Sequence, residues 1–550
     1  MKNKLILGPL LRYAGENDAT IWVETEGSCD EIEARVGGSP HRCPTFEVEG
    51  HHYALVRVTN LEPGQIYEYE IRLDGEKAWP EADSEFPPSV IRTISPDGGF
   101  ELSFGSCRVA APHEAPHTFG ADGKSEGHGR DALYVLALRM MEETPEKWPD
   151  ALFLLGDQIY ADEVSSETLA FIRSKRDTGK PPGEEIADFE EYTRLYRESW
   201  GDPTMRWLLS NMPSAMIFDD HDVNDDWNIS EAWVEEMRKR PWWDERIIGA
   251  FMSYWLYQHV GNLSPRELEE DDTFNRVLGS PDPTRVLREF AYVADREVGR
   301  RRWSFFRDFG KVRLIVMDTR AGRVLKEGNR RMVDEAEWAW IESKATGDFD
   351  HLLFGTSIPF VMPHAVHHVE TWNEAVCAGA WGKTAAKVAE AARQAADLEH
   401  WPAFGTSFDE LADLLRSAAS GERGNPPASV TVLSGDVHHG YLAEINLGGG
   451  VTAHQAVGSP IRNHLPLPER LVLRFGWTKP GEFVGKVLAK LAGVEGTEVR
   501  WRLLERKPWF DNHISTMRFD GREAGITVEK AIPEEAEHPE LREVLSRRLA

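Results

Sequence analysis

The stretch DALFLLGD, Asp150–Asp157, decides the fold. Ala151 to Leu155 are uninterrupted apolar residues, and Gly156 and Asp157 end them abruptly. Such a run reads as a short buried strand that delivers a carboxylate at its C-terminal end. Upstream, DALYVLALRMMEE (Asp131–Glu143) has the apolar spacing of a helix, and FELSFGS (Phe100–Ser106) is a second buried strand. Together these three make a βαβ unit, with Cys107 and Asp157 each just past a strand end. Downstream the pattern recurs in SAMIFDDHD (Ser214–Asp222), VRLIVMDTR (Val312–Arg320), HLLFGTS (His351–Ser357) and SVTVLSGDVHHG (Ser429–Gly440). Each is a β-rich apolar run ending in polar or charged residues, so the main body is expected to be α/β.

The first part of the chain has a different texture. ATIWVET (Ala19–Thr25) and EIEARV (Glu31–Val36) read as short strands, and YALVRVTNLEPGQIYEYEIRL (Tyr53–Leu73) as two strands around a turn. The piece Leu61–Tyr67 resembles the tyrosine corner of fibronectin-III and immunoglobulin-like sandwiches. Pro87-Pro88 and the run Ser95–Gly99 read as linker. The expected organisation is a β-sandwich domain over 1–95 and a catalytic domain over 96–550. Helical insertions are expected at about 231–300 and 364–420, and ISTMRF with GITVEKA around Asp520-Gly521 reads as a closing hairpin. The first insertion gathers Trp233, Trp242, Trp243 and Trp255, a set suited either to core packing or to a lid over a site.

Bulk properties exclude several classes of function. A length of 550 residues exceeds one ordinary core, and 41% hydrophobic with 28% charged residues is a globular composition. A net charge of -29 opposes broad electrostatic binding to nucleic acid or anionic membrane. The four cysteines (Cys29, Cys43, Cys107 and Cys377) are too few for a disulfide scaffold. The start, MKNKLILGPLLRYAGENDATIW, lacks a cleavable leader pattern, and no stretch approaches the roughly 20 apolar residues of a membrane helix. A cytoplasmic protein is therefore expected, with no nucleic-acid scaffold and no membrane segment.

In open α/β sheets, ligands bind beyond the carboxyl ends of the strands, where these polar endings converge. Asp157, Tyr160, Asp220 and Asp436 offer oxygen, His438 nitrogen and Cys107 sulfur. Carboxylates suit hard cations and a thiolate suits a transition metal, so the mixed set points to more than one kind of ion. Singly, each has a plainer reading: Asp157 as a turn or cap residue, Cys107 as a small buried side chain, His438 as a core histidine. In combination they are harder to explain without a cation. Asp219, Asp220 and Asp222 surround His221 directly after an apolar strand, concentrating repulsion that a cation relieves.

Four motifs in order, FGSCR, GDQIYAD, DDHD and SGDVHHG, make the chain resemble the alkaline phosphatase D (PhoD-like) family of metallophosphoesterases. The resemblance extends to MDTR (Met317–Arg320), GTSIPF (Gly355–Phe360) and VGSPIRN (Val457–Asn463). It implies a metallophosphoesterase-like β-sandwich flanked by helices (αββα), preceded by the fibronectin-III/Ig-like domain. It also implies Fe3+ and Ca2+ held by Cys107, Asp157, Tyr160, Asp220, Asp436 and His438. Cys107 corresponds to a thiolate and Tyr160 to a phenolate ligand of iron, and Asp157 would bridge two metals. Thr356 stands where a ligand His is common in the wider superfamily, which agrees with an oxygen-rich site.

The activity implied is hydrolysis of small phosphate esters, monoesters or diesters, by metal-activated water. His221, among carboxylates, is expected to stay protonated and to donate to the leaving oxygen. Arg108 is a candidate for holding a phosphate oxygen, balanced against a carboxylate-paired role; Arg320 is a weaker one. Asn224 and Asp225 are minor candidates for supporting the site. Two alternatives remain at this stage: a degenerate phospholigand-binding or scaffold protein, and a metalloenzyme acting on a phospholipid headgroup.

Overall fold

The computed structural model describes residues 3–120, 127–465, 470, 473–474, 476–505, 507–532 and 538–550. Two sheets stack to form the main body. One has six strands in the order Ser214–Met216, Ala151–Leu154, Phe100–Gly105, His513–Asp520, Glu523–Ile532 and Glu540–Arg548. The other has seven: Phe305–Phe309, Val312–Met317, His351–Thr356, Ser429–Ser434, Thr452–Val457, Tyr441–Asn446 and Arg500–Leu503. The first three strands of the first sheet run parallel, as do the middle four of the second. Each parallel set therefore gathers its C-terminal ends at one edge of its sheet.

Small residues let the sheets approach. A Cβ on Gly355 would lie 2.5 Å from the Phe153 ring, and one on Gly458 would lie 2.9 Å from Phe104. Facing apolar side chains such as Phe104, Phe153, Leu353 and Leu433 fill the space between the sheets and are buried. Helices cover the outside. Ala132–Glu142 starts at Asp131, whose side chain accepts the Leu133 and Tyr134 N–H groups. That is a standard N-cap, so the βαβ unit read around Asp150–Asp157 forms as expected.

Residues 5–92 form a smaller two-sheet sandwich. One sheet orders Leu5–Ala14, Ala19–Thr25, His51–Val58 and Phe46–Val48; the other is built on Ile32–Val36 and Ile66–Leu73. The tyrosine corner is formed, with the Tyr67 hydroxyl accepting the Glu62 N–H at 2.9 Å. Leu5–Ala14, a strand that the short apolar run at the start does not mark, pairs antiparallel with Ala19–Thr25. The sandwich is bound tightly to the main body. Buried Arg12 donates to the Gln258 carbonyl at 2.8 Å and also to that of Tyr257, and the Tyr257 hydroxyl donates to Glu24 at 3.0 Å.

The tryptophan-rich insertion is mostly core. Trp233, Trp243 and Trp255 are buried, with Trp233 meeting Trp243 edge-on at 5.5 Å. Trp227 packs against Phe218, 5.3 Å between ring centres, and so backs the DDHD turn. Within this insertion Tyr254–His259 widens to a π-helical turn, a deviation that recurs next to functional sites. Among the described residues no helix is long and apolar enough to cross a membrane.

Candidate metal centre

The turns that follow the parallel strands meet at one end of the sandwich. Four donor-bearing residues there have left-handed backbone: Cys107 (φ 56°), Asp157 (φ 50°), Asp436 (φ 68°) and His438 (φ 48°). Each such residue costs on the order of 1–3 kcal/mol, and such strain gathers at functional sites. Close approach is secured by glycine. Gly156 has φ 115°, and a Cβ there would lie 2.5 Å from the Asp219 Cβ; at Gly435 a Cβ would fall on the Ser106 side chain.

The donors form a linked series. Cys107, Asp157 and His438 bring ligand atoms within 4.8 Å of one another, as do Asp157, Asp219 and Asp220, and then Asp220, Glu399 and Asp436. Asp157 joins the first group to the second, and Asp220 joins the second to the third. Tyr160 lies beside the first group. Its hydroxyl accepts from Asn463 at 3.0 Å, and burial together with the Asp157 and Cys107 charges pushes its pKa well up. Ser459 donates to Cys107 Sγ at 3.1 Å. The Asp436 oxygens face His400 Nε2 at 3.1 Å and Arg320 Nη2 at 3.2 Å.

His221 borders these groups. Its Nδ1 is 3.0 Å from Asp162 Oδ2, its Nε2 is 3.9 Å from Asp225 Oδ1, and its ring centre is 4.8 Å from that of Tyr160. Burial disfavours the imidazolium, but Asp162, with Asp220 and Asp157, raises its pKa well above the ordinary histidine value. Asp222 is a brace: one oxygen accepts the N–H groups of Asp157 (3.0 Å) and Asp219 (2.8 Å), and the other accepts from Gln258 at 3.3 Å on the π-helical turn.

The two arginines behave differently. Arg108 does not join the donors. Its guanidinium is buried against Asp131 at 2.8 Å and the Ser199 carbonyl at 2.8 Å, which is the carboxylate-paired arrangement. Arg320 lies at the centre, wholly buried. It binds Asp219, approaches Glu399 to 2.5 Å, and lies 3.2 Å from both Asp220 and Asp436. One guanidinium thus serves four carboxylates. Thr356 is buried and donates to the Ile358 carbonyl at 3.1 Å, while Asn224 bonds the adjacent Asp225 carbonyl.

The electrostatics fit cations. Asp157 Oδ1, Asp219 Oδ2 and Asp220 Oδ1 are buried without a hydrogen-bond partner; the last is near Arg320 but out of line for a bond. Burial and neighbouring carboxylates push the acids of Asp157 and Asp219 well above the usual range. Burial likewise raises Asp222 to about 7. Burial and the His221 charge lower His438 to about 4, leaving a neutral imidazole of the kind metals take. Cys107, fully buried, is pushed far up by burial and then by Asp157 and Asp436. Bound cations would reverse these penalties and satisfy the three orphaned oxygens.

Sequence reasoning passed over several residues at this end. Asp162 was visible in GDQIYAD, two residues after Tyr160. Glu399 and His400 sit in DLEHW (Asp397–Trp401), inside an insertion read only as helical. Glu370, which holds His400 Nδ1 at 2.6 Å, lies within a helix and carried no local signal.

Comparison with known proteins bears on the fold and the family. Residues 129–469 match PhoD-like phosphatase, and residues 2–91 match DUF7800, a domain of unknown function. The solved structure of PhoD is similar with a TM-score of 0.59 at 11% identity, covering 99% of this chain and 92% of that one. Purple acid phosphatase PPD1 from yellow lupin (Lupinus luteus) seeds is similar with a TM-score of 0.50 at 10% identity, covering 95% and 71%. No curated protein sequence matches the chain. The fold is that of the metallophosphoesterases. Within that class, the chain belongs to the PhoD-like phosphatase family.

Proposed function

We propose that this protein is a metal-dependent phosphoesterase that hydrolyses small phosphate monoesters or diesters. The observation that carries the reading is the linked series of buried donors from Cys107 to Asp436, with three carboxylate oxygens left without partners. Cys107, Asp157, Tyr160 and His438 would hold an ion of transition-metal character, with Fe3+ the choice that thiolate and phenolate favour. Asp157, Asp219, Asp220, Glu399 and Asp436 would hold harder ions such as Ca2+. Bound there, the ions would supply an activated water and would neutralise phosphoryl oxygens.

The chain's own groups supply the rest. His221 keeps a proton because Asp162 holds its Nδ1, and its Nε2, 3.9 Å from Asp225 Oδ1, would present a proton to the leaving oxygen. Arg320 keeps Asp219, Asp220, Glu399 and Asp436 in place and favours the ionised form of each. His400, braced by Glu370, fixes one oxygen of Asp436. Asn463 orients the Tyr160 hydroxyl. In this reading Arg108 positions: its pairing with Asp131 ties the Cys107 turn to the start of helix Ala132–Glu142.

The experiment is turnover of p-nitrophenyl phosphate and bis-p-nitrophenyl phosphate by purified protein, compared with His221→Ala. Release of p-nitrophenol that falls sharply in the variant supports the reading. No turnover of either ester under any metal supply would argue for a phospholigand-binding protein instead.

A further inference from the structure

The helix Lys479–Leu491 is built the opposite way round from an ordinary surface helix. Gly481, Gly485 and Ala489 form its buried face. A Cβ on Gly485 would lie 2.9 Å from the His368 Cβ and 3.0 Å from the Ala365 carbonyl oxygen, so the packing against helix His364–Cys377 demands small residues. The large apolar side chains point outward: Phe483 is 69% exposed, Val484 50%, Val487 42% and Leu491 65%. At 3.6 residues per turn these four share an arc of about 100°. Trp381, 42% exposed, extends the patch, its Nε1 donating to the Leu491 carbonyl at 3.1 Å.

One flank of the arc is basic. Lys479, Lys486 and Lys490 are spaced by seven and four residues, which places them on one line of the helix beside Phe483. Glu482 on this helix is held by Lys486 at 2.5 Å. An exposed arc of large apolar side chains, flanked by lysines and extended by a tryptophan, is the composition of a helix that lies in a membrane interface.

We propose that this helix docks the protein on an anionic lipid surface. The lysine flank argues for that occupant, because it complements anionic headgroups, whereas a second copy of the chain would bring the same lysines to the contact. The net charge does not forbid the contact, because screening limits long-range repulsion to about 8 Å at physiological salt while the lysines meet the headgroups directly. Docking also lies close to the candidate centre. The supporting helix His364–Cys377 carries Glu370, the residue that braces His400 and through it Asp436. The proposal goes beyond the phosphoesterase reading and does not depend on it, since its test reads binding.

The test is flotation of the full chain with phosphatidylcholine vesicles, with and without about 30% phosphatidylglycerol, at physiological and at high salt. The protein should float with the anionic vesicles at physiological salt and far less with neutral ones. A Phe483→Ser, Val487→Ser, Leu491→Ser variant should bind about tenfold less or weaker still. Lys479→Gln, Lys486→Gln, Lys490→Gln should lose roughly fivefold per lysine and most of the salt dependence. Retained thermal unfolding and esterase turnover would show that both variants are folded. Wild-type protein that stays with the unbound fraction at physiological salt would overturn the proposal. So would equal flotation of the serine variant, or concentration-dependent dimers, dissolved by the serine changes, in a protein that ignores vesicles.

Discussion

His221 Nδ1 lies 3.0 Å from Asp162 Oδ2, and Asp162 in turn accepts the Asp225 N–H at 2.9 Å. The second bond fixes the carboxylate, so the imidazole is held in one orientation with Nε2 outward. Asp162 is also a leading cause of the raised His221 pKa. If protonated His221 is the donor, activity is lost as pH rises through its folded pKa. Asp162→Asn should move that alkaline limb to lower pH and cost about 10- to 100-fold in kcat/KM. The linked stability follows the same sign. It is fully present below the ordinary histidine pKa of about 6.5 and is lost as pH rises through the raised value. A pH–rate profile of the two proteins checks this; an unmoved alkaline limb would separate His221 from proton donation.

Arg320 carries the charge balance of the centre. It is wholly buried and faces Asp219, Asp220, Glu399 and Asp436. Replacing it with methionine leaves Asp219 and Asp220 without their cationic partner, and Glu399 and Asp436 with only Arg323 and His400, which should cost about 3–5 kcal/mol in chelated protein. Added Ca2+ should recover part of the loss. Denaturant unfolding with and without calcium reads both effects.

Asp157 makes the opposite case. Its folded pKa is raised, by burial first and by Asp219, Asp220 and Asp222. A carboxyl of this kind destabilises the fold as pH rises above its unfolded value near 3.9. Asp157→Asn should therefore raise the stability of the chelated protein by about 1–2 kcal/mol at neutral pH, with a smaller gain in acid. The same variant should lose metal and activity together. Thermal midpoints measured in chelator across pH, alongside metal content, decide the matter.

Tyr160 offers an optical test of iron. A phenolate on Fe3+ absorbs visible light, so iron-loaded protein should be coloured, and Tyr160→Phe should lose the phenolate band while any absorption from the Cys107 thiolate stays. A colourless, iron-free protein of full activity would remove iron from the account and leave the phosphoesterase reading standing.

Much of this was legible in the sequence for a physical reason. Strands such as Ala151–Leu154 and Ser429–Ser434 are buried on both faces, so they read as short continuous apolar runs, and their polar endings stand out. Cys107, Asp157 and His438 were accordingly visible, and the structure brings their donor atoms together. What was hidden depends on contacts between distant segments. Glu399 and His400 come from an insertion with no strand to frame them, and Glu370 from the interior of a helix. Arg108 follows Cys107 directly in sequence, yet its side chain turns to Asp131, a direction that adjacency does not determine. Leu5–Ala14 becomes recognisable as a strand through its pairing with Ala19–Thr25.

The central claim is that the donors running from Cys107 to Asp436 hold metal ions on which phosphoester hydrolysis depends. The most direct measurement is turnover of bis-p-nitrophenyl phosphate by protein stripped of metal and then reloaded, with bound metal counted at each step. The account predicts that stripping lowers the rate at least about a hundredfold and that reloading with Fe3+ and Ca2+ restores it. Undiminished turnover by protein shown to be free of metal would contradict it.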